Sequence, residues 1–142
     1  MTTANLIPDL ERDEGCKLTA YQDTLGIWTI GYGHAYVHPG TVWSQATADA
    51  QLASDVAHTE ASLDNQLPWW RSLDDIRQDV IANMAFNMGV TTLLQFHNTL
   101  GAIQRGDWKA AHDGMLASLW ARQVPNRALR LATQMLTGIH QP

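Results

Sequence analysis

Residues 13–34 read DEGCKLTAYQDTLGIWTIGYGH, with carboxylates Glu14 and Asp23 nine positions apart, a threonine at Thr29, and glycines at 15, 26, 31 and 33. Hydrolysis of a glycosidic bond needs two carboxyl groups facing each other. One donates a proton to the leaving oxygen, and the other, ionised, activates water or stabilises oxocarbenium charge. Environment separates the two roles. A place at the C-terminal end of a helix, with partial burial, disfavours charge on Glu14, whereas a polar, solvated turn keeps Asp23 charged. The chain between them can fold back so that the two side chains meet. Two acids at this separation are by themselves more often a solvated pair, so the surrounding residues have to decide.

The elements that would position these groups follow from periodicity. Residues 5–14 read as a short helix, with Leu6, Ile7 and Leu10 on one face, Pro8 tolerated in the first turn and Gly15 as its stop. From Lys17 to Gly33 the period changes to two. Leu18 and Ala20, then Trp28, Ile30 and Tyr32, alternate with polar or small residues around the turn Asp23-Thr24-Leu25-Gly26, which predicts a hairpin or three-stranded sheet. Ser44 is an N-cap for a long helix to about Leu63. After the break at Pro68-Trp69-Trp70 the period is helical over about 73–88, 92–104, 107–120 and 125–137. Within the first of these, Ile76, Val80, Ile81, Met84 and Met88 form a stripe flanked by Ala82, Ala85 and Phe86, which predicts a helix buried on most sides.

This order predicts an α+β fold: one domain over 1–142, with a small β lobe at about 15–43, joined by a long helix to a helical lobe formed by 44–142 with 1–14. No separate wall-binding domain is expected. A chain of this length buries about 68–70% of its unfolded surface. Hydrophobic residues make up 45% and charged residues 16%, which excludes a disordered chain. Cys16 is the only cysteine, so the fold cannot depend on an internal disulfide. The first residues lack a basic and apolar leader pattern, and no run approaches 18 apolar residues, so the expectation is a protein made in a cytoplasm, without stable membrane insertion. The charge is uneven. Residues 1–113 hold all 14 acids and six of the nine cations, a formal −8, and residues 114–142 hold Arg122, Arg127 and Arg130, a formal +3. Three arginines over that span are too few for a nucleic-acid partner.

The series Glu14-Gly15, Tyr21, Asp23-Thr24, Gly26, Thr29-Ile30-Gly31 and Gly33-His34 resembles the phage-type lysozymes, endolysins of glycoside hydrolase family 24. The resemblance continues through Asn83-Met84, Phe86, Met88-Gly89, Phe96, Asn98, Leu100 and Trp108 to Trp120 and Pro125-Asn126-Arg127-Ala128, with Arg130. It implies a lysozyme-like fold and an enzyme that cuts the β-1,4 bond between N-acetylmuramic acid and N-acetylglucosamine in peptidoglycan. Glu14 is then the proton donor, Asp23 the partner of the water or cation, and Thr29 the residue that helps hold the water. An inverting reaction is implied, with carboxylates about 6.5–9.5 Å apart. No metal or cofactor is implied. In such enzymes the residue matching Arg127 pairs with the glutamate, and the one matching His34 pairs with an aspartate, here Asp55. Phe86 and Thr99 match cleft-lining positions, while Gly31 and Gly33 let a sugar chain approach the sheet closely. Tyr21 and Trp28 read as packing, and Cys16 as a small apolar filler. The segment from Ala35 to Val42 is shorter than in the pattern it resembles.

The partners implied are peptidoglycan strands, reached by a monomer after holin-dependent release into the periplasm. Three rivals remain. A lytic transglycosylase cuts the same bond with one glutamate, without the positioned water that Asp23 and Thr29 would serve. A metal-dependent amidase would use His34, His38, His58 and Asp55, although HExxH spacing is absent. A glycan-binding module would leave both acids without a purpose.

Overall fold

Helix α1 (Leu6–Glu14) ends at Gly15, whose φ of 65° takes the left-handed turn that favours glycine. In the computed structural model, which describes residues 1–142, the chain divides into two compact units, 7–58 and 1–6 with 59–142.

In the unit of residues 7–58, strands β1 (Lys17–Gln22), β2 (Trp28–Gly31) and β3 (His34–Ala35) form an antiparallel sheet in the order β1-β2-β3. Tyr21 stands opposite Thr29 and Lys17 opposite Gly31, with an irregularity in β1 between Lys17 and Tyr21. The outer edge of β1 is also occupied: Ala20 N donates to Thr41 O at 2.9 Å and Trp43 N to Leu18 O at 2.8 Å. The segment after His34 therefore closes an edge that would otherwise present unpaired backbone groups. Helix α2 (Gln45–Gln66) begins at Ser44, whose Oγ accepts the N–H of Thr47 at 3.1 Å, as the sequence predicts. Leu10, Ile30, Ala48, Leu52 and Val56 are buried.

Two sequence expectations need correction in this unit. Gly31 is buried, and a Cβ there would stand 2.9 Å from the Trp43 ring, so indole packing rather than sugar approach demands the glycine. Cys16 is exposed, with Sγ 4.0 Å from Gln45 Oε1, and fills no apolar gap.

In the other unit, residues 68–72 form a short 3₁₀ helix, led by Pro68, instead of a bare break. Helix α3 (Asp75–Met88) starts at Asp74, whose side chain accepts the N–H of Arg77, and every residue from 78 to 85 is buried. The run predicted over 92–104 is two helices, α4 (Val90–Leu93) and α5 (His97–Gln104). Between them the hydrogen bonds tighten, with Gln95 N to Thr92 O and Phe96 N to Leu93 O, both 3.0 Å, so the chain leaves the α ladder at Leu94. The run over 107–120 likewise divides into α6 (Trp108–Leu116) and α7 (Leu119–Gln123), because Ser118 caps a new helix by accepting from Ala121 N. Helix α8 (Pro125–Thr137) packs on α3, α6 and α7. Apolar periodicity runs through both breaks, which is why it does not reveal them.

Candidate active site

Asp23 owes its place to the turn it builds. Its Oδ1 accepts the N–H groups of Leu25 at 2.8 Å and Ile27 at 2.9 Å, and its own N–H donates to Ile27 O at 2.9 Å. A short polar side chain that bonds its own backbone two residues on is what makes Asp a turn former. These bonds fix one carboxylate oxygen and leave Oδ2 for other partners.

Thr29 is buried, and its Oγ1 donates to Ile27 O at 2.9 Å. Because it stands opposite Tyr21, the two side chains share one face of the sheet, and Asp23 follows two residues after Tyr21 in the turn.

Glu14 sits at the last position of α1, half-buried. Gly33 borders it: a Cβ at Gly33 would meet Glu14 Oε1 at 3.2 Å, and the φ of 79° there is one that side chains rarely adopt. Gly33 therefore makes room for the carboxylate itself. Tyr21 feels both acids. Burial first, then the charge of Glu14, then that of Asp23, pushes its phenol above the usual range, so both carboxylates lie within electrostatic reach of one ring. The sequence predicts packing for Tyr21; its place two residues before the Asp23 turn is the signal that finds it.

His34 Nδ1 lies 2.8 Å from Asp55 Oδ2, and Gln51 Nε2 donates to Asp55 Oδ1 at 2.8 Å, so the pair ties β3 to α2. The His34 ring also lies 5.6 Å from that of Trp43. His58 Nδ1 lies 3.0 Å from Ser54 O, and no three His, Cys, Asp or Glu side chains converge as metal ligands.

Arg127, Phe86 and Thr99 belong to the other unit. Arg127 is buried and its Nε donates to Asn83 Oδ1 at 2.9 Å. Phe86 is half-buried on α3. Thr99 is buried, with Oγ1 pressed against Gly114, which gives it a packing role between α5 and α6.

A helical chain with a three-stranded antiparallel sheet, a carboxylate at the end of the preceding helix and another at the first turn of the sheet is of the lysozyme-like α+β class. The family model described as phage lysozyme matches residues 11–133, and the chain belongs to that family. It is similar to the pre-baseplate central spike protein Gp5 of Enterobacteria phage T4, at 31% identity over 91% of this chain and 27% of that protein, about a quarter of the relative's length. It is also similar to the probable T4-type lysozyme 1 of Dictyostelium discoideum, at 29% identity over 91% of this chain and 92% of the relative. The endolysin of Salmonella phage P22 is 29% identical over 84% of this chain and 83% of its own.

Proposed function

We propose that this protein is a muramidase that hydrolyses the β-1,4 bond between N-acetylmuramic acid and N-acetylglucosamine in peptidoglycan, with inversion at the anomeric carbon. The observation that carries this reading is the common neighbourhood of Glu14 and Asp23: both act on the Tyr21 phenol, and Gly33 leaves space beside the Glu14 carboxylate.

Glu14, protonated, gives its proton to the glycosidic oxygen as the bond from that oxygen to C1 breaks, freeing the 4-hydroxyl of N-acetylglucosamine. Asp23 takes a proton from a water whose oxygen adds to C1 from the opposite face, giving an α-configured reducing end. Thr29 has given its only hydroxyl hydrogen to Ile27 O, so toward the water it can only accept. A water that donates one hydrogen to Asp23 and the other to Thr29 has its lone pair free for C1. Positioning of this kind converts a slow encounter into a near-attack geometry.

The endolysin names among its relatives support a role in lysing a host cell. We further infer that it passes the membrane through a holin and acts as a monomer on periplasmic peptidoglycan. No helix is long and apolar enough to cross a membrane.

Mass spectrometry of purified peptidoglycan digested by wild type and by Glu14→Gln tests the reaction. Reducing muramic ends from wild type, and none from the variant with its thermal transition intact, are expected. 1,6-Anhydro ends would indicate a transglycosylase, and full activity in Glu14→Gln would remove the acid from the mechanism.

A further inference from the structure

The unit of residues 7–58 carries seven carboxylates and only two side chains that are cationic at all ordinary pH values, Arg12 and Lys17. Arg12 is engaged, 3.4 Å from Asp9 and 3.5 Å from Asp13. Lys17 is exposed and pairs with no carboxylate. Instead its Nζ stands 4.6 Å from the centroid of the Tyr21 ring. That ring is opposite Thr29 and two residues from Asp23, so the one uncommitted cation of the unit rests on a residue of the candidate active site.

We infer that Lys17 is a specificity-determining residue that binds a carboxylate of the peptide stem attached to the glycan. The assignment rests on the muramidase reading above. The glycan backbone of peptidoglycan is uncharged, and its anions are the carboxylates of the stems that hang from the muramic lactyl groups. The ionised Asp23 repels such a carboxylate. An ammonium held over a ring offsets that repulsion and is restrained before the ligand arrives, since the quadrupole of the aromatic face attracts the cation. Lysine suits the task because it offers three rotatable donors on a point charge and imposes no bidentate geometry on a flexible peptide. A glycan without stems, its lactyl carboxyls capped as amides, has no group for it.

The test uses the full chain as wild type, Lys17→Met and Lys17→Arg, assayed on soluble glycan strands bearing stems and on the same strands after an amidase has removed them and the lactyl carboxyls this frees have been capped as methylamides. Lys17→Met should lower kcat/KM on stem-bearing strands by about 5- to 20-fold, through KM, and leave stripped strands within about twofold of wild type. Lys17→Arg should recover most of the loss, and the advantage of wild type over Lys17→Met should shrink as salt is added. If stripped strands resist cleavage, their binding to Glu14→Gln and to Glu14→Gln/Lys17→Met supplies the same comparison. An equal loss on both substrates, or no loss on stem-bearing strands, overturns the assignment while wild-type activity keeps the muramidase reading standing. Wild-type inactivity on both substrates overturns that reading instead.

Discussion

Thr29 Oγ1 donates to the carbonyl oxygen of Ile27 at 2.9 Å, in the same turn whose N–H groups hold Asp23. The hydroxyl and the carboxylate are thus oriented by one stretch of backbone. Thr29→Val keeps the branched shape and removes the acceptor, so kcat should fall by roughly 100-fold, the lower end of what a positioned proton-transfer group contributes. Thr29→Ser keeps the hydroxyl and should retain most activity. Steady-state kinetics beside a thermal melt would check this, and a loss that merely tracks stability would remove Thr29 from the mechanism.

Gly31 and Gly33 should respond differently to alanine. At Gly31 the added Cβ meets the Trp43 ring at 2.9 Å, an overpacking that costs about 1–3 kcal/mol. At Gly33 it meets Glu14 Oε1 at 3.2 Å, so Gly33→Ala should lower kcat by more than its stability loss explains. Denaturant titration and kinetics on both variants separate the two effects.

Arg77 joins the start of α3 to the end of α8. Its Nε donates to Met135 O at 2.7 Å and Nη2 to Leu136 O at 3.2 Å, with the guanidinium 3.8 Å from the centroid of the Trp108 ring. It therefore satisfies carbonyls that a helix C-terminus leaves unpaired. Gly138, the C-cap, is close against that guanidinium. Arg77→Ala should cost roughly 2–4 kcal/mol, since both charged hydrogen bonds and the ring contact are lost together. Arg77→Lys should recover only part, because an ammonium lacks the planar fork. Urea titration measures both, and hydrogen exchange should show the last turn of α8 loosened first.

Asp64 predicts an acid-side loss of stability. Its Oδ1 accepts from Arg71 Nε and from the buried Trp70 Nε1, both at 2.8 Å, and these bonds lower its carboxyl below the usual range, Arg71 contributing most. A carboxylate whose folded value is depressed stabilises the protein fully above its unfolded value. That contribution disappears as pH falls from about 4 through the lowered folded value. Wild type should therefore lose stability in that window more steeply than Asp64→Asn. Melting curves from pH 6 to pH 2 would show it, and parallel curves would refute it.

How much of this was legible beforehand depended on whether the cause was local. Gly15 ends α1, Asp23 to Gly26 make the turn, Ser44 starts α2 and Pro125 starts α8, each where the sequence predicts, because caps and turns are settled by neighbours a few residues away. The divisions at Leu94–Phe96 and at Ser118 escaped, since hydrophobic period continues across them and a Ser reads equally well as a helix surface residue. The site followed the same rule. Glu14, Asp23 and Thr29 were named from residue type and order, whereas the demand on Gly31 came from Trp43, twelve residues on.

Residue order alone determined an α+β protein of the phage lysozyme family with an acid at a helix end, another at a turn and a threonine beyond them. Only the folded chain decided that Tyr21 feels both acids while carrying Lys17 on its ring, that Gly33 yields space to Glu14, and that Arg77 closes α8 from 58 residues away. The reason is physical: periodicity and capping are written within a turn or two of chain, but the space and charge around a side chain come from residues the sequence keeps apart.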